Sequence, residues 1–376
     1  MSRSSGRIAL LEGLRGIAAL VVVIWHSTLA FAPEYAGIFN GFDHSSSWMG
    51  KPWFVLINGT GAVALFFVLS GFVLTISAIR QVDNRVIYRG LLKRWPRLAL
   101  PVVISTVASW LLFTLGLYHF TEASGVSNSP WLGAFGFAEE IPSERTLSDA
   151  VAQGVFLTFW RGDAYFNSSL WTMHFEMIGS LIAFGGAIIF NTFRRSLLVC
   201  GLIIACMFWG TYLSSPWYVC FVIGFLISVS ANRIPSLQPT LIAALVLAGI
   251  FLLGFSQPKG YYSWLWWPNF VIVNGVGSAL LIVALLQIKA PRSLNHLCLM
   301  LGELSFPVYL VHLLVIMSFG SSIYLRYGAV TAFISVMFFS IVMSIPLIWI
   351  NRNWLRIINS VGQPNIIKRP DEPQPN

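Results

Sequence analysis

The length, composition and charge of the chain exclude an ordinary soluble protein. Of its 376 residues, 56% are hydrophobic and 10% are charged, whereas soluble globular proteins average about 25% charged residues. A bilayer-spanning helix takes about 20 mostly apolar residues, so the composition provides about ten such helices and little sequence for a soluble domain. The net charge of +9 is dispersed in short clusters, and the four cysteines form no Cys-x-x-Cys pair. A nucleic-acid-binding protein, a metal centre and a disulfide scaffold are therefore disfavoured.

Long apolar runs bounded by charged, polar, Pro or Gly residues predict about ten transmembrane helices. The predicted helices are 14–31, 58–79, 98–118, 170–190, 197–213, 216–231, 239–255, 268–288, 298–320 and 328–350. The sequence thus predicts an all-α, polytopic membrane protein with both termini on the same side of the membrane. In this prediction residues 1–355 form the membrane domain, and the Pro-rich end, residues 356–376, forms a disordered cytoplasmic tail.

The basic residues predict the orientation of the chain in the membrane. Eighteen of the 23 fall on one side, namely Arg3, Arg7, Arg15, Arg80, Arg85, Arg89, Lys93, Arg94, Arg97, Arg194, Arg195, Arg233, Lys289, Arg292, Arg352, Arg356, Lys368 and Arg369. The opposite connections collect the acids Glu34, Asp43, Glu122, Glu139, Glu140, Glu144, Asp149 and Asp163. By the positive-inside rule the first side is cytoplasmic, and most of its cations are expected to meet lipid headgroups.

Two segments allow alternatives. The N-terminal basic residues, the apolar stretch and Ala30-Phe31-Ala32 are similar to a cleavable secretory signal; we favour a retained helix, because this segment contains candidate site residues. The apolar patch 151–160, in the long outer connection 119–169, predicts an interfacial or re-entrant helix.

Four aromatic residues lie in or beside the outer connection. They are Trp131, Trp160, Tyr165 and Trp171. This composition is typical of the aromatic belt at a membrane interface, which we favour over a sugar-binding site.

Ionisable side chains within the predicted helices are candidate site residues, because each costs at least a few kcal/mol unless it faces a polar interior. Arg15 and His26 are eleven residues apart, which places them on one helix face about 16 Å apart along the axis. Glu176 and His312 are expected near the depth of His26, and Tyr309 shares a face with His312. A histidine beside a carboxylate is a workable general base for a hydroxyl group. A self-satisfied structural pair is the alternative.

The connection from Arg80 to Arg97 is predicted to be an anion-binding region on the inner face. It holds six basic residues and one acid, Asp83, and the arginine pair Arg94 and Arg97 stands at the mouth of the third predicted helix. Arginine forks suit phosphate groups, with anionic lipid as the alternative ligand. The sequence lacks the P-loop, His-Glu-x-x-His and Gly-x-Ser-x-Gly motifs, so it gives no case for an ATPase, a zincin or an α/β-hydrolase.

Five segments carry a resemblance to a known family. They are residues 11–20 with Trp25-His26, 66–72, Arg94-x-x-Arg97, 169–176 and 302–312. Together, and in this order, they resemble the acyltransferase-3 integral membrane acyltransferases, which O-acetylate bacterial O-antigens, exopolysaccharides, Nod factors and some macrolides. Glu12 stands where the family more often has Asp, and Phe306 replaces a frequent Tyr, so a hydroxyl role at that position is in question.

The resemblance implies a membrane-bound O-acyltransferase that moves an acyl group, most often acetyl, from acyl-CoA to a hydroxyl of a carbohydrate, glycolipid or related acceptor. It implies catalytic roles for His26, as base or acyl carrier, and for Glu176, which would orient His26 or bind the acceptor. It also implies donor binding by Arg15, Arg94 and Arg97. Further candidate site residues are Glu12, Ser70, Trp171, Tyr309 and His312.

The resemblance also bears on partners and location. Acyl-CoA is expected as a co-substrate, with neither a bound cofactor nor a metal, and nucleic acid is not an expected partner. The expected location is the bacterial cytoplasmic (inner) membrane, in a stand-alone form without the SGNH-type domain that some members carry. A transporter of a lipid-linked sugar or a proton-coupled solute, using the same intramembrane histidine and glutamate, is the alternative function.

Overall fold

The structure, a computed structural model, describes residues 2–43, 45–138, 144–266, 269–289 and 291–360, without the side chains of residues 2–8, 197 and 292. Several sequence predictions lie outside the described residues. They concern the tail residues 361–376, including Lys368 and Arg369, and the acidic pair Glu139 and Glu140.

The described part of the chain is built from helices and their connections, without strands. The α-helices are α1 (Ser2–Phe31), α2 (Pro33–Ala36), α3 (Gly59–Gln81), α4 (Asn84–Thr114), α5 (Phe120–Ser127), α6 (Pro130–Gly133), α7 (Leu147–Ala152), α8 (Thr158–Trp160), α9 (Trp171–Phe193), α10 (Leu197–Ser214), α11 (Pro216–Ser230), α12 (Pro239–Leu253), α13 (Phe270–Leu285), α14 (Arg292–Val315) and α15 (Ser321–Ser360). Short 3-10 turns lie at Pro52–Leu56, Ser168–Leu170 and Gly260–Tyr262, and π-helical segments lie at Gln153–Leu157 and Ile316–Gly320.

Each predicted apolar segment overlaps a helix. Five helical segments are long and apolar enough to cross a membrane, and the last of them, Ser293–Ser360, contains both α14 and α15. Four shorter apolar helices lie between α9 and α14. The predicted all-α, polytopic membrane fold is confirmed, while the number of spans and the side of the termini stay predictions.

The helices extend beyond the apolar segments that predicted them. The predicted connection 80–97 is mostly helix, because α4 begins at Asn84 and only a turn at Val82 and Asp83 separates it from α3. Val82 adopts a left-handed conformation, and the Asp83 side chain caps α4. Hydropathy marks only the part of a helix that lies in hydrocarbon, so it misses charged ends.

The last helix, α15, also extends beyond its predicted segment, and it is interrupted once. The helix that follows the π-helical segment Ile316–Gly320 is interrupted at Gly328, whose φ is 78°, where the last predicted span begins. It continues to Ser360, so residues 356–360, assigned to the tail by prediction, belong to α15.

α1 and α14 pack side by side in parallel, with glycines in the interface. A Cβ atom at Gly16 would lie 2.6 Å from the carbonyl oxygen of Leu301, and one at Gly13 would lie 2.7 Å from Cys298 Sγ. Small residues let two membrane helices approach this closely. The two helices keep the same register along their contact, so residues that follow Gly16 in α1 face residues that follow Leu301 in α14.

α3 and α11 form a second close pair through glycines on both helices. A Cβ atom at Gly71 would lie 2.3 Å from the carbonyl oxygen of Phe221, and one at Gly224 would lie 2.1 Å from that of Val68. The two backbones are therefore in direct contact, which holds α3 in position for the site that it lines.

The outer connection contains a segment that folds back against α4. Thr106 Oγ1 donates a hydrogen bond to the carbonyl of Ala150 (2.7 Å), and Trp95 Nε1, nearer the start of α4, donates to that of Val155 (2.9 Å). The chain then returns to the level of Ser109, whose hydroxyl donates to the carbonyl of Phe166. This confirms the helix predicted at 151–160 and favours its re-entrant form.

We expect Gly224→Ala to destabilise the fold. The added methyl group cannot lie 2.1 Å from a carbonyl oxygen, so α3 and α11 must separate, and overpacking of this kind costs about 1–3 kcal/mol. Thermal unfolding of the detergent-purified protein measures the change. Gly185→Ala in α9 is the matched control, because no neighbouring atom lies within 4 Å of its Cβ position and alanine has the higher helix propensity. A wild-type unfolding temperature for Gly224→Ala would contradict the close packing.

Candidate functional site

Most of the predicted site residues line one cavity of about 320 Å³. α1, α3, α4, α9, α14 and α15 all contribute to its wall. The predicted residues in the wall are Glu12, Arg15, Ser70, Arg94, Arg97, Glu176 and Tyr309. Much of the remaining wall is apolar, with Phe66, Phe67 and Leu98 among its residues. Side chains from distant segments thus form a cavity that is cationic and acidic on some walls and apolar on others.

Arg94 and Glu176 form a buried ion pair that joins α4 to α9. Their side chains are 8% and 13% exposed, and Arg94 Nη2 donates to Glu176 Oε1. Arg94 Nε donates to Ser180 Oγ (2.8 Å), and Ser70 Oγ donates to Glu176 Oε1 (2.7 Å). Both charges are therefore compensated within the protein, and the pair fixes α3, α4 and α9 around the cavity.

Arg15 is held by α14 as well as by its own helix. Its Nη2 lies 2.6 Å from Glu12 Oε2 and donates to the carbonyl of Gly302 (2.9 Å). Its Nε donates to Ser305 Oγ (3.0 Å). These contacts follow from the close packing of α1 on α14, and they orient the guanidinium along the cavity wall.

Arg97 differs from the other two predicted arginines. Its side chain is exposed although it lines the cavity. Among the described residues, the ion pairs of the cavity arginines are Arg15 with Glu12, Arg94 with Glu176 and Arg352 with Glu303, and none includes Arg97. Arg97 is thus a cation available to an anionic ligand.

His26 and His312 meet outside the cavity wall and form a hydrogen-bonded pair. His26 Nδ1 lies 2.8 Å from His312 Nε2. His312 Nδ1 lies 2.7 Å from the carbonyl oxygen of Tyr309. A carbonyl only accepts hydrogen bonds, so Nδ1 of His312 carries the proton, and its Nε2 in the neutral ring accepts one from Nδ1 of His26. In this arrangement Nε2 of His26 is the basic nitrogen of the pair.

The predicted pairing of Glu176 with His26 is not the one that the structure forms. Glu176 accepts hydrogen bonds from Arg94 and Ser70, whereas His26 bonds to His312. Position along a helix estimates depth, but the partner depends on which helix faces are turned together. The hydrogen-bond partner of His26 in the structure is therefore His312, which is fully buried.

Tyr309 connects the cavity to the histidine pair. It lines the cavity, and its ring centroid lies 5.7 Å from that of His312. Its hydroxyl lies 2.7 Å from Thr172 Oγ1 and donates to the carbonyl of Ser169 (2.8 Å). A continuous path of contacts thus runs from the cavity through Tyr309 and His312 to His26.

Two tryptophans depart from their predicted places. Trp131, assigned to the interfacial belt, is buried and stacks on His26 with ring centroids 5.1 Å apart and planes 8° from parallel. Trp171, a candidate site residue, packs against Phe175 and Trp217 and does not line the cavity described above. Trp131 lies in α6, a helix of four residues that is too short to show a hydrophobic period, so no pattern in the sequence pointed to its contact with His26.

Arg352 and Asn351 also line the cavity, although prediction assigned Arg352 only to the cytoplasmic cations.

Within the described residues, no group of three or more His, Cys, Asp or Glu side chains could hold a metal ion. The arrangement thus places four arginines in the cavity wall, of which Arg97 lies outside the ion pairs described above, and provides a histidine with a fixed tautomer for proton transfer.

Comparison with known proteins identifies a family. The model of the family Acyl_transf_3, described as an acyltransferase domain, matches residues 8–350. Neither the curated proteins nor the solved structures yield a match. The matched range contains all five segments on which the sequence resemblance rests.

We expect the buried Arg94–Glu176 pair to be required for stability. Arg94→Gln leaves Glu176 as an uncompensated charge, and breaking a buried pair from one side costs about 3–5 kcal/mol. The double variant Arg94→Gln/Glu176→Gln removes both charges and should recover part of the loss. Thermal unfolding in detergent of the wild type, both single variants and the double variant measures the coupling. Additive losses in the double variant would contradict the pairing.

Proposed function

The chain belongs to the acyltransferase-3 family, and we propose that it transfers an acyl group, most simply acetyl, from acyl-CoA to a hydroxyl of a carbohydrate or glycolipid acceptor. Membership of the family supports membrane acyltransferase activity in general, in preference to transport. The observation that carries our choice of donor is the cavity in which Arg15, Arg94 and Arg97 converge with apolar side chains.

The chemistry of the cavity suits a thioester of coenzyme A. The guanidinium of Arg97, which lies outside the ion pairs, provides charge-assisted hydrogen bonds for phosphate oxygens, and Phe66, Phe67 and Leu98 provide an apolar wall for the pantetheine arm. The extended arm is on the order of 15–20 Å, comparable with the separation of about 16 Å between Arg15 and His26 that the helix rise gives. A donor anchored near Arg15 and Arg97 thus has the length to reach His26.

His26 acts as the general base in this proposal. Its Nε2 removes the proton of the acceptor hydroxyl as the oxygen attacks the thioester carbonyl; the C–S bond then breaks, and the coenzyme A thiolate takes the proton from the imidazolium. His312 accepts a hydrogen bond from Nδ1 of His26 and so stabilises the imidazolium, as a carboxylate would. If transfer crosses the bilayer, the same Nε2 would carry the acyl group transiently.

The other charged residues have supporting parts. Glu176 neutralises Arg94 and holds Ser70, so it shapes the donor cavity and does not orient His26. Glu12 holds Arg15 in the same way. The predicted orientation places the arginines toward the cytoplasm, where acyl-CoA is made, and we propose the bacterial cytoplasmic membrane as the location.

We expect Arg97→Gln to weaken donor binding. Loss of this guanidinium removes charge-assisted hydrogen bonds to phosphate, worth about 1.5–3 kcal/mol, so the dissociation constant for acetyl-CoA should rise about tenfold or more. Titration of the purified protein with acetyl-CoA measures the change. Arg89→Gln is the matched control, because Arg89 is exposed on the same helix and does not line the cavity. Equal affinity of Arg97→Gln and wild type would contradict this part of the proposal.

We expect His26→Ala to abolish most of the catalysis while leaving donor binding intact. General acid–base catalysis contributes about 10²- to 10⁴-fold to a rate, and His26 does not line the donor cavity. Release of free coenzyme A from acetyl-CoA, measured with the purified protein and a hydroxyl acceptor, gives the rate.

The same variant tests the acceptor in cells. Mass spectrometry of surface glycans and secreted metabolites should show an acetyl group that disappears when His26→Ala replaces the wild type. Wild-type turnover by His26→Ala would overturn its assignment as base or acyl carrier.

A further inference from the structure

The inner part of α15 forms one wall of the cavity. Ile348, Asn351, Arg352 and Leu355 line it, and all but Ile348 lie beyond residue 350, where the family match ends. The five segments of the resemblance contribute the other cationic walls. Most of this wall therefore lies outside the part of the chain that the family model matches.

The wall is fixed against α4 beside Arg97. Trp354 Nε1 donates a hydrogen bond to the carbonyl oxygen of Pro96 (2.7 Å), and Lys93 Nζ donates to Asn359 Oδ1 (3.2 Å). Pro96 directly precedes Arg97, and Trp354 follows Arg352 by two residues. These bonds hold Arg352 and Arg97 together at the cavity on neighbouring walls.

Arg352 is paired with a carboxylate in a geometry that a phosphate can reproduce. Its Nε lies 3.1 Å from Glu303 Oε1, and its Nη2 donates to Glu303 Oε2. Two parallel N–H···O bonds of this kind are the way in which a guanidinium binds either a carboxylate or a phosphate group. Glu303 thus occupies the position of an anionic ligand.

The Arg352–Glu303 pair is exposed, so separating the two side chains costs little free energy. The side chains of Arg352 and Glu303 are 57% and 47% exposed, against 8% and 13% for Arg94 and Glu176. An exposed ion pair contributes little to stability, whereas opening a buried one leaves an uncompensated charge. Arg352 can therefore leave Glu303 for a ligand, while Arg94 is committed to Glu176.

We propose that Arg352 is a further donor-binding residue, which exchanges Glu303 for a phosphate group of the coenzyme A moiety and acts together with Arg97. This inference rests on the proposed function, because it takes acyl-CoA as the ligand. It assigns Glu303 the part of a competing internal anion, whose removal should strengthen donor binding.

Binding of coenzyme A to the purified, full-length protein tests the exchange. Arg352→Gln should raise the dissociation constant about tenfold, because a charge-assisted pair of hydrogen bonds is lost. Glu303→Gln should lower it several-fold, because the competing carboxylate is gone. Arg356→Gln is the matched control: it is exposed one turn further along α15, does not line the cavity and should bind as the wild type does.

Pantetheine, which lacks phosphate groups, separates a phosphate contact from a structural disturbance. Arg352→Gln should bind it with wild-type affinity. Equal losses for coenzyme A and pantetheine, or wild-type coenzyme A binding by Arg352→Gln, would overturn the inference, as would weaker binding by Glu303→Gln. A wild type that does not bind coenzyme A would overturn the proposed function itself, so the two failures are distinguishable.

Discussion

The cost of burying charge in a low-dielectric interior governs how the site of this protein is built. Ionised side chains are tolerated there when they are paired or face a wet cavity. Arg94 and Glu176 are the most buried ion pair described, Arg15 and Glu12 are more exposed, and Arg352 and Glu303 are the most exposed. The fully buried His312 avoids a formal charge through a neutral hydrogen bond to His26. The cations thus become less committed to internal partners as exposure increases, which suits a site that admits an anionic ligand.

The sequence was sufficient for the helices, and seven of the ten candidate site residues line the cavity. Long apolar runs have few structural alternatives, and an arginine or glutamate within one is conspicuous because it is costly. It was insufficient for the pairing, since residue number gives depth along a helix but not which faces are in contact. Glu176 was therefore expected either to orient His26 or to bind the acceptor, whereas its partner in the structure is Arg94, a residue predicted to lie in a loop. Trp131 lies in the four-residue helix α6, which is too short to show a period.

Tyr309 lies between two regions of different chemistry. On one side is the cavity with its arginines, and on the other are His312, His26 and the buried ring of Trp131. The hydroxyl of Tyr309 is bonded to Thr172 and Ser169, at the start of the helix that carries Glu176. α1 contributes to both regions at different depths, with Arg15 in the cavity wall and His26 in the histidine pair.

The glycine-mediated contact of α1 with α14 also limits how the length of this chain can change. Arg15 meets Gly302 and His26 meets His312 through the same parallel interface. A single residue inserted in α1 between Arg15 and His26 would turn one contact away from α14 by about 100° and displace it by about 1.5 Å along the axis. We therefore expect insertions and deletions to be tolerated in the connections and not in this eleven-residue interval, which sets the separation of Arg15 from His26 along α1.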